Sequence, residues 1–291
     1  MSGNSDELTR EYLDRYAIEW RHLNACEATT ECELFGRTLK TPVMAGGMAH
    51  YDGLRAGGAP LFAEGVKAAG SAMWTGFCSD EELEKVIATG VPAARIIKPF
   101  ADKKRILDAI RHDEQAGAVA FSMDVDHVFD KQGHIYKFFD APLAPQQTED
   151  LAEYAASTSL PFFVKGILSV RDALICAEAG VAGIVISHHQ NMFPWSVPPL
   201  AVLPEIKAAV GDKLTILLDC GLSDGYDIFK ALALGADGVF VARPLRPIFA
   251  EKGPDGVCEH LNALTDTLRA CLARTASPDI RHIDPTVLRL L

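Results

Sequence analysis

The 291-residue chain has a formal net charge of −11, and 48% of its residues are apolar. The length suits one large domain or two small ones, with enough apolar material for a sizeable core. The acidic balance argues against a nucleic-acid partner, which needs clustered Lys and Arg, and no apolar run is long enough to span a bilayer. The opening Met1-Ser2-Gly3-Asn4-Ser5-Asp6-Glu7 lacks the basic and apolar regions of a signal peptide. Seven scattered cysteines form no CxxC pair. That pattern suggests neither a zinc knot nor a disulfide framework, and a cytoplasmic protein with reduced thiols is expected.

Short apolar runs begin after an N-terminal extension, residues 1–38, and recur through a single domain, residues 39–291. In chain order they are Pro42-Val43-Met44-Ala45, Ser71 to Thr75, Arg95 to Pro99, Ala118 to Met123, Pro161 to Lys165, Gly183 to Ser187, Leu214 to Asp219 and Gly238 to Ala242. Each is nearly continuous in hydrophobicity, as a strand buried on both faces reads. The segments between them have helical spacing. Ser79 precedes Asp80-Glu81-Glu82, an N-cap followed by acid in the first turn. Ile106, Leu107 and Ile110 mark one helix, and Ala173, Ile175, Cys176 and Ala179 mark another that Gly180 stops. Eight strand–helix units in alternation predict an α/β fold with a closed parallel sheet, the (β/α)₈ or TIM barrel. A doubly wound open sheet is the alternative. Gly46-Gly47-Met48-Ala49-His50 does not supply its dinucleotide fingerprint.

One connection is irregular. Val125 to Thr148 leaves the C-terminal end of the fourth strand and contains Gly133, Pro142 and Pro145. A loop of that length is usually functional or disordered, and that end of a barrel is where active sites lie.

The residues at the other strand ends carry candidate chemistry. Asp219-Cys220-Gly221-Leu222-Ser223 follows the seventh strand and Ala242-Arg243-Pro244 the eighth. Backbone N–H groups of small residues such as Gly221 and Ala242 can approach a phosphate, and Arg243 adds a charge-assisted contact. The bland reading is ordinary turn glycines and a surface Arg. Lys165 ends the fifth strand, where an ammonium can stabilise an anionic group or merely snorkel to the surface. Ser187-His188-His189 and Ser122-Met123-Asp124-Val125-Asp126-His127 end the sixth and fourth strands. A His with a carboxylate partner makes a general base. The same residues have ligand chemistry, but no spacing fits a usual metal motif, so no metal is assigned.

At these residues the chain resembles the FMN-dependent 2-hydroxy acid oxidase and dehydrogenase family, which includes glycolate and lactate oxidases. The resemblance is clearest in Val164-Lys165-Gly166-Ile167, Ser187-His188-His189, Asp219-Cys220-Gly221, Lys230 to Ala236 and Ala242-Arg243-Pro244. It is weaker but collinear from Leu39 onward. It implies FMN as cofactor, a small-molecule substrate and a homo-oligomer such as a tetramer. It implies His189 as catalytic base, Asp124 as its carboxylate partner and Lys165 beside the flavin. Ser122, Ser187, Lys98, Ala45 and Gly46 take flavin or ribityl positions, and Asp219, Gly221, Ala242 and Arg243 take ribityl and phosphate positions.

The departures concern the substrate. Met192 stands where the family has the Arg that clamps a substrate carboxylate. Phe100 replaces a substrate-binding Tyr, Lys98 a Gln and Ser223 a second Arg, and no aromatic cover is recognisable in Tyr12 to Ala25. Lys98, His127 or His188 would then contact the substrate, or the substrate lacks a carboxylate. The expected activity is an FMN-dependent oxidoreductase with an altered pocket. A non-redox flavin isomerase or lyase and a non-catalytic flavin-binding protein are the alternatives.

Overall fold

The computed structural model describes residues 3–291. Eight strands close into a parallel barrel: Val43–Met48, Met73–Thr75, Ala93–Ile97, Ala120–Asp124, Phe162–Ile167, Gly183–Ile186, Thr215–Leu218 and Gly238–Val241. They are called here the first to eighth barrel strands. The ring shuts where Val239 and Val241 of the eighth pair with Val43 and Ala45 of the first. Seven of the strands are buried almost from end to end. A parallel sheet sheathed by helices demands such unbroken apolar runs, since both of its faces are covered.

The barrel interior is filled by large rings set against glycines. Trp74 packs on Phe240 and Phe163, with centroids 4.7 and 5.2 Å apart. A Cβ on Gly46 would fall 2.2 Å from the Phe240 ring, and one on Gly183 would fall 2.3 Å from Phe163 and 2.5 Å from the Thr215 carbonyl. Below them the hairpin Cys32–Leu34/Arg37–Leu39 stoppers the N-terminal mouth. Its tip residue Phe35 reaches Trp74 at 5.7 Å and Phe163 at 5.4 Å.

The helices follow from caps that the chain supplies locally. The Ser79 hydroxyl accepts the Glu82 N–H at the start of α3, Asp80–Ala88. Gly117, in the left-handed region, ends α4, Lys103–Ala116. Ser169 caps α6, Val170–Glu178, and Asp224 caps α8, Gly225–Ala233. The long C-terminal helix α9, Leu245–Arg274, breaks at Gly253, whose φ of 66° precedes Pro254. This break and the terminal ribbon of Tyr16–Ile18 with Leu288–Leu290 leave no strong periodic signal in the sequence.

Residues 3–38 are woven into the barrel. Helix α1, Ser5–Asp14, begins where the Asn4 side chain accepts the Asp6 N–H. It lies across the ends of the sixth to eighth barrel strands through contacts of Asp6, Thr9 and Arg10, while the hairpin closes the opposite end. The segment after the fourth strand is also folded. It holds the hairpin Lys137–Phe138/Ala141–Pro142 and bridges Leu143 to Phe100.

Replacing Gly183 by Ala is expected to lower stability by about 1–3 kcal/mol, because the Thr215 carbonyl is backbone and cannot rotate away. Urea denaturation would show the midpoint fall. An unchanged midpoint would mean that the two strands separate freely at this level.

Candidate active site

The C-terminal mouth gathers side chains from the third, fourth, fifth, sixth and seventh strand ends. At its centre is Asp124, only 3% exposed. Lys98 Nζ donates to Asp124 Oδ2 at 2.7 Å and lies 3.1 Å from His127 Nδ1. Lys165 Nζ, also buried, is 3.4 Å from Asp124 Oδ1 and 3.6 Å from Asp219 Oδ2. Burial alone would neutralise these groups, but their mutual attraction outweighs it. Burial favours the protonated carboxyl of Asp124, yet the Lys98 and Lys165 ammoniums hold it far below the usual carboxylate range. Burial likewise favours a neutral Lys165, but Asp124 and Asp219 keep it firmly protonated.

His189 stands beside this pair with an unusual partner. The resemblance assigned Asp124 to it, but Asp124 Oδ1 is 3.9 Å from His189 Nδ1 and makes no hydrogen bond there. Asp126 straddles Nδ1 instead, at 3.2 and 3.3 Å. The cause is electrostatic, since both oxygens of Asp124 are drawn to lysines. Asp126 fits because the fifth strand bulges at Gly166, where a Cβ would fall 2.6 Å from the Asp126 side chain. Nδ1 held by a carboxylate carries the proton, which leaves Nε2 with its lone pair.

His127 completes the cluster. Its ring stacks on Tyr136 and meets His189 edge-on, with centroids 5.4 and 5.2 Å apart. Burial, reinforced by the nearby Lys98 and His189, pushes its imidazole down to about 4. Nitrogen and oxygen atoms of Asp124, His127 and His189 lie within 4.8 Å of one another, a spacing compatible with a metal ion. The Lys98 ammonium already bonds two of the three, so the cation of this cluster is a side chain.

His188, expected at the substrate, is elsewhere. Its Nδ1 accepts the Asn191 N–H at 3.3 Å, so Nε2 is protonated and donates to Thr9 Oγ1 at 2.8 Å; Thr9 in turn donates to the Ser5 carbonyl. Burial keeps this imidazole neutral, and it fastens α1 to the sixth strand. Met192 is half-buried in the following loop. Phe100 is buried under the Arg105 guanidinium, 3.8 Å from its ring centroid. Phe77, Phe100 and Phe138 form an apolar wall, with Phe138 also 5.6 Å from Lys98 Nζ.

Above the seventh and eighth strands is a cavity of about 430 Å³ lined by Gln190, Asp219, Cys220, Gly221, Ala242 and Arg243. Gly221 has a φ of 79°, and a Cβ there would meet Thr9 at 2.4 Å. Arg243 forms a paired contact with Asp6 of α1, at 2.7 and 2.8 Å. Arg10 reaches Gly221 and Ser223 and is itself held by Asp227 at 2.7 and 2.9 Å. The acidic N-terminal stretch hid these contacts in the sequence. Only the Asn4 cap before Ser5-Asp6-Glu7 could have signalled a helix.

Comparison with known proteins agrees with this geometry. The profile of the FMN-dependent dehydrogenase family matches residues 2–143 and 129–290. The chain belongs to that family. It is 30% identical to the 4-hydroxymandelate oxidase of Amycolatopsis orientalis, over 92% of this chain and 85% of that one. It is also 30% identical to the L-lactate oxidase of Alicycliphilus denitrificans, over 87% and 80% of the two chains. A crystal structure of mandelate oxidase with (S)-2-phenylpropionate superposes with a TM-score of 0.88 at 30% identity, covering 99% of this chain and 90% of that one. The protein is thus an FMN-dependent oxidoreductase.

The mouth fits that cofactor. Ser122 Oγ is buried with no hydrogen-bond partner among the described residues. Gly47, exposed and in the left-handed region, presents bare backbone near Lys165, and a Cβ there would come 3.9 Å from its Cε. A planar ring can lie against such backbone, and the cavity beside Arg243 suits its phosphate. Cys220, pushed up to about 11 by burial, is a thiol there and not a thiolate.

Two expectations follow from these contacts. Arg243→Gln should weaken FMN binding about tenfold or more, whereas Asp6→Asn, which releases the guanidinium, should tighten it by up to about fivefold. Fluorescence titration of apoprotein with FMN measures both; unchanged affinity in Arg243→Gln would remove Arg243 from the phosphate site. The second concerns pH. His127 is depressed in the folded state from an ordinary 6.5 to about 4. Its contribution is therefore complete above 6.5 and is lost as pH falls toward 4, where the unfolded chain binds a proton that the fold refuses. Denaturation midpoints across that window should decline, and His127→Gln should flatten the decline. An equal slope in the variant would reassign it.

Proposed function

We propose that the enzyme oxidises a small α-hydroxy carbonyl compound, with His189 as the base. The observation that carries this reading is the His189–Asp126 pair set beside the buried Lys98–Asp124–Lys165 triad. With Nδ1 held by Asp126, Nε2 is the atom left to take the substrate hydroxyl proton, and Asp126 stabilises the resulting imidazolium. Lys165 keeps a fixed positive charge in the buried mouth where negative charge develops. FMN, when bound, would be held by Ser122, Asp219, Gly221, Ala242 and Arg243 and would supply the two-electron acceptor. Lys98 anchors Asp124 and His127, so that neither is drawn away from the cluster.

The wall of Phe77, Phe100 and Phe138 favours a substrate with an apolar group next to the hydroxyl carbon. The mandelate oxidase structure with (S)-2-phenylpropionate supports the same preference.

His189→Ala should slow substrate-driven flavin reduction by about 10²–10⁴-fold in stopped-flow absorbance, the usual size of a base contribution. Asp126→Asn should slow it less and displace its pH profile, and Asp126→Glu should recover part of the rate. Flavin reduction in His189→Ala at the wild-type rate would eliminate this mechanism.

A further inference from the structure

The chemistry of the mouth says more about the substrate than its walls do. Among the described residues, the cations that touch the catalytic cluster are Lys98 and Lys165, and both lean on Asp124. Lys165 is shared further with Asp219. His127 is no reserve cation, because burial and Lys98 keep it neutral. On the acid side stand Asp124, Asp126 and Asp219, so two ammoniums face three carboxylates. Asp126 sits against His189 at 3.2 Å, close to where the substrate hydroxyl must approach. A substrate carboxylate would enter this balance as a further negative charge. It would lose its water without gaining an unmatched cation, which is unfavourable in a partly buried site.

We infer that this site selects a neutral α-hydroxy carbonyl compound, such as an amide, ester or ketone, over the corresponding carboxylate. A neutral carbonyl needs only a donor, which an ammonium already paired can still provide through its third N–H. The inference rests on the reading that His189 faces the reacting carbon, and its test is therefore a binding measurement separate from turnover.

The probes are benzoylformamide and benzoylformate, unreactive 2-oxo compounds that differ in charge. Each is titrated into the oxidised FMN-loaded enzyme and followed by the flavin difference spectrum and by calorimetry. The amide is expected to bind about tenfold tighter or more, equivalent to at least one 1.4 kcal/mol step. Asp126→Asn, which removes one negative charge, is expected to narrow that ratio. Equal or tighter binding of the acid overturns the inference, even if the enzyme oxidises hydroxy compounds well, and so does a failure of both probes to bind. A clear amide preference without flavin reduction by either 2-hydroxy counterpart would uphold the inference and instead remove the proposed oxidation.

Discussion

The active end of the molecule depends on one buried carboxylate placed between two ammoniums. Asp124, at the end of the fourth barrel strand, is reached by Lys98 from the third and Lys165 from the fifth. Any one of the three alone would be intolerable at that depth. Together they cross-link three adjacent strands at the mouth. The arrangement is possible because parallel strands in register bring residues at matching heights side by side, as Lys165 is opposite Asp124 in the pairing of the fourth and fifth strands. The scaffold thus fixes the charges, and the charges decide which other groups remain free.

One such consequence is the change of partner at His189. With Asp124 held by lysines, Asp126 takes the imidazole, and the chain keeps an imidazole–carboxylate pair while using a residue two positions further along. Function and packing meet again at Gly166, which gives Asp126 its room.

Much of the barrel was legible because its strands are unbroken apolar runs and its helices carry strong caps such as Ser79 and Gly117. The strand ends were legible too as clusters of polar side chains directly after apolar runs, such as Ser122 and Asp124 at the end of the fourth strand. What escaped was whatever depends on contacts between distant parts of the chain. Helix α1 buries Ser5 and Thr9 beside Leu13, and its role comes from Asp6, Thr9 and Arg10 meeting Arg243, His188 and Gly221. His188 and His189 look equivalent on paper. Left-handed backbone at His189 breaks the strand alternation, so one imidazole serves α1 and the other faces Asp126. No local pattern records which carboxylate a lysine will claim.

The seam of the barrel has a bearing on how the protein is made. Its closing contacts join the first barrel strand to the eighth, from opposite halves of the chain, and the terminal ribbon ties residues near the start to the last few. On the ribosome, the first strand therefore leaves the tunnel long before its second neighbour exists. During that interval Val43 to Met48 is an unpaired sheet edge, the kind of surface that invites pairing with other chains. Helix α2, Gly58–Ala68, follows directly, but its chief partner α9, which also packs on the first strand, is made only after the eighth. Closure is thus a late event in the life of each molecule, and chaperone demand should be greatest just before it.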